Sequence, residues 1–111
     1  MAVNKAGVSL VALKTNFGQA PELNYSTTIN GANALLIVVT GSNATKINKP
    51  TASSGSVSDA TRLEFYSSDQ DGRYIYSGNI YVVTGISGNC TVNFSSTTWD
   101  WGWGVWIYKI A

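Results

Sequence analysis

The sequence predicts an all-β protein, an antiparallel β-sandwich of about eight strands. Its apolar segments are short and rich in β-branched and aromatic residues, and Gly, Asn, Ser or Pro interrupts them about every 8–12 residues. No stretch combines a helical period with helix caps. With 111 residues the chain has the length of one domain, which we place at residues 1–111.

The first third of the chain contains three predicted strands. Residues 7–14 (GVSLVALK) form the first, and residues 22–29 (ELNYSTTI) form the second, with Leu23, Tyr25, Thr27 and Ile29 pointing inward. The NG pair at residues 30–31 then predicts a type I′ or related turn. Residues 32–41 (ANALLIVVTG) are almost continuously apolar, which predicts a central strand covered on both faces.

A change of composition marks residues 42–60, which we interpret as a long, mobile surface loop with at most a short strand at residues 46–48. Residues 61–68 (TRLEFYSS) resume the alternation of a strand, and residues 69–72 (DQDG) form a turn. Residues 73–85 (RYIYSGNIYVVTG) follow, as one long strand with a Gly bulge or as two short strands. In residues 89–96 (NCTVNFSS) the alternation points Cys90, Val92 and Phe94 inward.

The last predicted strand, residues 99–110 (WDWGWGVWIYKI), carries all four tryptophans. Alternation places Trp99, Trp101 and Trp103 on one face together with Val105 and Ile107, and places Trp106 on the other face with two glycines. The glycines indicate either the close approach of a neighbouring backbone or ring, or a bend in the strand. Val105 and Ile107 are predicted core residues, whereas Trp103 fits either the core or a contact surface.

Five aromatic residues are candidate contacts for a partner or ligand. Trp99 and Trp101 follow a polar stretch, which suits a rim, and a rim pair serves a protein interface or a sugar-stacking platform equally well. Tyr74 and Tyr76 share one face of their strand, where tyrosines make cross-strand packing or interface contacts. Trp103 completes the set.

Catalytic and cofactor chemistry is not expected. The chain has no histidine, so it cannot form a Ser-His-Asp arrangement, and its one cysteine, Cys90, is predicted to be a small buried residue. The DQDG segment resembles the start of a calcium loop but is not followed by the closing Glu. We therefore predict no catalytic, cofactor-binding or metal-binding residues and no enzymatic activity.

Charge and hydropathy also argue against nucleic-acid and membrane partners. Seven Lys and Arg against six Asp and Glu give a net charge of +1, which provides no basic track for nucleic acid. The longest apolar run, residues 34–39, is too short to span a bilayer, and the N-terminus lacks the apolar run of a signal peptide. These features predict a leaderless, soluble product of the cytoplasm.

Four segments in order, NALLIVVTG, YVVTG, GNCTVNFSS and WGVWIYKI, resemble small jelly-roll-like β-sandwich domains of tailed-phage virion proteins and some bacterial surface proteins. The resemblance covers residues 33–110 and consists of strand types, without an active-site signature. It implies a capsid decoration or cement protein, or part of a tail fibre. It further implies location in the virion, contact with the major capsid protein or another virion protein, and a homo-oligomer, commonly a trimer.

Two classes of function follow. The first is a non-enzymatic structural virion protein that binds and stabilises the capsid lattice, with aromatic anchors supplying much of the binding energy. The alternative is a carbohydrate-binding or receptor-binding β-sandwich, lectin-like and of the tail-fibre type, because flat aromatic rings stack on sugars.

Overall fold

The computed structural model describes residues 7–20, 23–42, 47–66, 75–96 and 100–110; within strands, it does not describe the side chains of residues 17–20, 42, 62–66, 75–77 and 100–102. The described chain is an antiparallel β-sandwich, as predicted. Its strands are β1 (Val8–Ala20), β2 (Asn24–Ile29), β3 (Ala34–Ser42), β4 (Thr51–Ala52), β5 (Ser56–Val57), β6 (Thr61–Tyr66), β7 (Ile75–Thr84), β8 (Cys90–Ser95) and β9 (Asp100–Ile110).

The strands form two sheets. The larger sheet has the order β1-β9-β3-β7, with β5 and β6 both paired to β7, and the smaller sheet has the order β2-β8-β4. The first strand pairs with the last, β2 pairs with β8, and β3 pairs with β7, all antiparallel. A jelly roll has this pairing order, in which early strands pair with late strands and the pairs are divided between two sheets.

The core lies between the two sheets. The larger sheet contributes side chains at alternate positions, and the smaller sheet faces them with Ile29, Val92 and Phe94, whose ring stacks with that of Tyr25 at a centroid distance of 5.9 Å. Cys90, Val92 and Phe94 are at most 2% exposed, so the inward positions predicted for them are confirmed.

The chain changes direction at residues 30–31, as predicted, where Gly31 has φ of 69° and the bend joins β2 of the smaller sheet to β3 of the larger one. The prediction that the next strand is covered on both faces was wrong. The strand β3 is central, yet only one of its faces is covered: Leu35, Ile37 and Val39 are fully buried, whereas Leu36 and Val38 are half-buried.

The polar segment predicted to be a loop holds two short strands, β4 and β5, one in each sheet. Serine hydroxyls replace backbone groups at its pairing points: the Thr91 amide donates to Ser53 Oγ (2.8 Å), and the Ser87 amide donates to Ser54 Oγ (2.8 Å). The Val82 amide donates to Ser58 Oγ in the same way (2.8 Å). Because hydroxyls have no hydropathic period, the sequence pattern did not reveal this attachment.

Candidate functional site

The last strand, β9, lies between β1 and β3 and sorts its side chains onto two contrasting faces. Trp103, Val105 and Ile107 point inward and are 5%, 0% and 0% exposed. The intervening residues therefore point away from the sandwich. Trp106 and Tyr108 on this outward side are only half-buried.

The strands next to β9 continue this outward side as an apolar surface. Opposite Trp106 lie Val38 on β3 and Leu13 on β1, and opposite Tyr108 lie Leu36 and Leu10. The register of β7 adds Ile80 beside Val38 and Val82 beside Leu36. We call these residues the outer face of the larger sheet; it consists of Val8, Leu10, Leu13, Ala34, Leu36, Val38, Ile80, Val82, Trp106, Tyr108 and Ile110.

The ring of Trp106, the largest on the outer face, packs over Gly104. The Cη2–Cζ3 edge of the Trp106 ring occupies the space into which a Cβ at Gly104 would project, so any side chain there would overlap it. Thr15 and Thr40, the residues paired with Gly104, flank this position on the neighbouring strands. The predicted close approach of a ring over a glycine is confirmed, and the ring belongs to the same strand.

The outer face becomes more exposed towards β1. The large apolar side chains that are exposed in the described chain all belong to this strand: Val8 (60%), Leu10 (48%), Val11 (39%) and Leu13 (52%). Leu10 pairs with Tyr108 and Ala12 with Ile107, so Val11 is an extra residue that forms a β-bulge. The bulge keeps Ala12 inward and Leu13 outward, which extends the apolar surface along the strand.

No described charged side chain belongs to the outer face. Lys14 and Lys109 are the charged residues with described side chains on β1 and β9. Lys14 pairs with Val105 and Lys109 follows Ile107 by two residues, so both lie on the side of the sheet opposite the outer face, with Lys14 exposed and Lys109 half-buried. The ion pair between Lys49 Nζ and Asp59 Oδ1 (3.4 Å) is exposed and lies outside these strands. A partner for the outer face therefore needs no charge of its own.

The five predicted contact residues have different outcomes. Trp103 is 5% exposed and belongs to the core, so it is not available as a surface contact. Trp101 in β9 and Tyr76 in β7 are described for the backbone only. Trp99 and Tyr74 lie outside the described residues, as does the DQDG segment.

Other chemistry is sparse in the described chain. Its residues include no group of three or more His, Cys, Asp or Glu that could hold a metal ion. Cys90 is fully buried, and its thiol donates a weak hydrogen bond to the Ser54 carbonyl oxygen (3.4 Å). Among the described residues there is no helix of sufficient length and apolarity to cross a bilayer.

Sequence reasoning missed Trp106 and the outward residues of β3 and β7 as candidate contacts. A signal was present, because residues 34–39 and the end of β9 are apolar at both odd and even positions. We interpreted this pattern as burial on both sides. An apolar surface that binds a partner outside the chain has the same pattern.

Comparison with models of known protein families, with curated proteins and with solved structures gave no significant match.

Proposed function

We propose that this chain is a non-enzymatic structural protein that binds other protein subunits through the outer face of its larger sheet. The specific role we favour is decoration or cementing of a tailed-phage capsid, in contact with the major capsid protein or another virion protein. The observation that carries the proposal is a continuous, uncharged, apolar surface on four neighbouring strands. Surfaces of this kind on soluble proteins are typical of interaction sites.

The physical task of a cement protein suits this surface. Apolar area buried between subunits contributes about 25 cal/mol per Å² before the costs of association are subtracted, so a broad contact resists separation of the subunits it joins. Trp106, next to Leu13 and Val38, is the anchor that we expect to carry the largest share. Many copies on one lattice would then add avidity to a modest single contact.

A protein partner accounts for the described surface better than a sugar does. Sugar hydroxyls need hydrogen-bonding side chains around the stacking ring, because a polar group buried without a partner destabilises the complex. Three hydroxyls lie near the Trp106 ring, those of Thr15, Thr40 and Tyr108, but its cross-strand neighbours Leu13 and Val38 and most of the outer face are aliphatic, which suits a protein surface better. Carbohydrate binding therefore remains the second candidate, based on Trp106 and Tyr108.

The test mixes the purified chain with tailed-phage capsid shells stripped of their own decoration proteins, followed by sedimentation through a gradient. We expect co-sedimentation at a fixed number of chains per capsid subunit. The Val82→Lys variant, which places a charge on the outer face, should lose binding. Ser26→Lys is the matched control, since Ser26 is exposed on β2 of the smaller sheet.

Three results would count against the proposal. Shells that never bind the chain would contradict the capsid role. Equal binding by both lysine variants would contradict the use of the outer face. Selective retention of the chain on a glycan array, with quenching of tryptophan fluorescence by the retained sugar, would favour the carbohydrate-binding alternative.

A further inference from the structure

We infer that, in the chain free of capsid, the outer face of the larger sheet is the contact between two copies of this chain, packed sheet against sheet about a two-fold axis. The inference rests on the proposed function for the identity of the surface and goes beyond it by naming a second occupant, which a capsid subunit would displace on binding.

The charge of the outer face allows it to pack against itself. Around a two-fold axis, each residue of the interface lies close to the same residue of the other copy or to one of that residue's neighbours. A charged residue near the axis would therefore meet a like charge, which opposes association. The described side chains of the outer face carry no charge, and Lys14 and Lys109 lie on the opposite side of the sheet, where Lys14 is exposed and Lys109 is half-buried. The face is thus compatible with itself.

The side chains of the outer face also have a suitable arrangement for packing against a second sheet. Sheets pack face to face at a separation of about 10 Å when apolar side chains alternate along their strands. The inward side of the same sheet already packs in this way against β2 and β8. The outward side has the same kinds of side chain, with Leu36, Val38 and Ile80 in register across adjacent strands. A second copy supplies a matching apolar sheet.

The size of the outer face indicates a weak, reversible contact. Four strands at about 4.8 Å spacing, each with roughly seven residues at 3.3 Å, give the outer face a footprint of about 450 Å². Stacking two such faces covers at least about 900 Å² in total, which is below the roughly 1,200–2,000 Å² of stable interfaces and is typical of weak, transient contacts. The exposed side chains of β1, Leu10 and Leu13 among them, add to this area. We therefore expect a reversible dimer.

The experiment measures the mass of the purified full-length chain by light scattering and sedimentation. The concentrations span about 5 to 500 µM, a range wide enough to detect a weak, reversible dimer. The wild type should approach twice the mass of one chain as the concentration rises. Leu10→Glu should shift dimerisation to concentrations at least tenfold higher. Its matched control, Ser9→Glu, changes the adjacent exposed residue on the other side of β1, opposite Lys109, and should dimerise as the wild type does.

A second variant separates face packing from pairing of the free β1 edges. Val82 lies on β7, three strands from β1 and about 14 Å away across the sheet. Val82→Lys should weaken a face-to-face dimer and leave an edge-to-edge dimer unchanged. Near-ultraviolet circular dichroism checks that each variant is folded.

Several outcomes would overturn the inference. They are a wild type that stays monomeric at every concentration, a trimer, and a dimer that Val82→Lys leaves intact. A monomeric chain that still binds capsid shells through the outer face would refute the inference and leave the proposed function standing. A chain that dimerises but binds no capsid shell would support the inference and contradict the proposed capsid role.

Discussion

The two sides of the larger sheet have nearly the same chemistry but different surroundings. On the inward side Leu35, Ile37 and Val39 of β3 are fully buried, whereas Leu36 and Val38 between them remain half-exposed on the outward side. The same contrast divides β9, where Trp103 is in the core and Trp106 lies over Gly104 on the outer face. Hydropathy alone therefore does not distinguish a side chain that holds the fold together from one that is available to a partner.

The difference separates two contributions of apolar surface. On the inward side, burial against the smaller sheet stabilises the folded chain, and any change of volume is felt directly. On the outward side, the half-buried side chains become fully buried only when a second molecule binds, so the same kind of substitution should act mainly on association. Substitutions on the two sides should therefore separate loss of stability from loss of association.

The largest contrast is expected between the two described tryptophans. Trp103→Ala should lower the free energy of unfolding by about 3–5 kcal/mol, because it empties a buried site. Trp106→Ala should cost about 1–2 kcal/mol, since part of the ring is already in water. Urea unfolding followed by circular dichroism measures both values. Equal losses would mean that the outward ring is as important to the fold as the inward one.

A pair of neighbours on β3 tests the division without a large change of shape. Ile37→Thr should destabilise the chain by about 2–4 kcal/mol, because it removes buried carbon atoms and buries a hydroxyl. Val38→Thr should cost about 1 kcal/mol or less and should weaken association instead. Thermal unfolding at low protein concentration isolates the first effect, and light scattering reports the second. A larger stability loss for Val38→Thr would reverse the assignment of the two faces.

Added volume should also be tolerated differently on the two sides. Val105→Phe overfills the closed core and should cost about 1–3 kcal/mol. Gly104→Ala forces the Trp106 ring aside, but the ring is only half-buried, so the cost should be about 1 kcal/mol. The displaced ring should emit at longer wavelength because it is more hydrated. If the emission does not shift while stability falls sharply, the ring is confined and the outer face is not free.

The smallest effect concerns pH. Burial raises the pKa of the Tyr81 phenol above its usual value of 10.0. The unfolded chain therefore ionises this group before the folded chain does, and folding stability that is present below pH 10 is lost as the pH rises above it. Tyr81→Phe should flatten the decline of the melting temperature above pH 10. An unchanged slope in this variant would assign the alkaline loss to other groups.

The sequence predicted those parts of the fold in which burial is one-sided and regular. In β8 the alternation of Cys90, Val92 and Phe94 with polar residues identified the inward face correctly, because only one side of that strand is covered. The first strand was correctly located but extends to Ala20, six residues beyond its predicted end. Its polar second half has no hydrophobic alternation, and pairing with β9 maintains it as a strand.

The candidate site was harder to predict because it is an apolar surface that no other part of the described chain covers. The sequence identified the tryptophan strand as unusual, but it left Trp103 open between the core and a contact surface and left Trp106 out of the candidate set. Trp103 lies between two glycines and Trp106 between two β-branched residues, but neither local sequence indicates which side of the strand is covered. Only the position of the smaller sheet against one side of β9 determines which ring is enclosed.

Local patterns in the sequence predict the class of fold, the approximate positions of most strands and the low charge of the surface, because alternation, turn residues and composition act locally. Contacts between distant strands set which side of the larger sheet became the core, how serine hydroxyls attach residues 53–58 to both sheets, and where apolar surface remains uncovered. Those properties depend on which strands meet across the sandwich. Such contacts join residues far apart in the chain, and no local pattern encodes them.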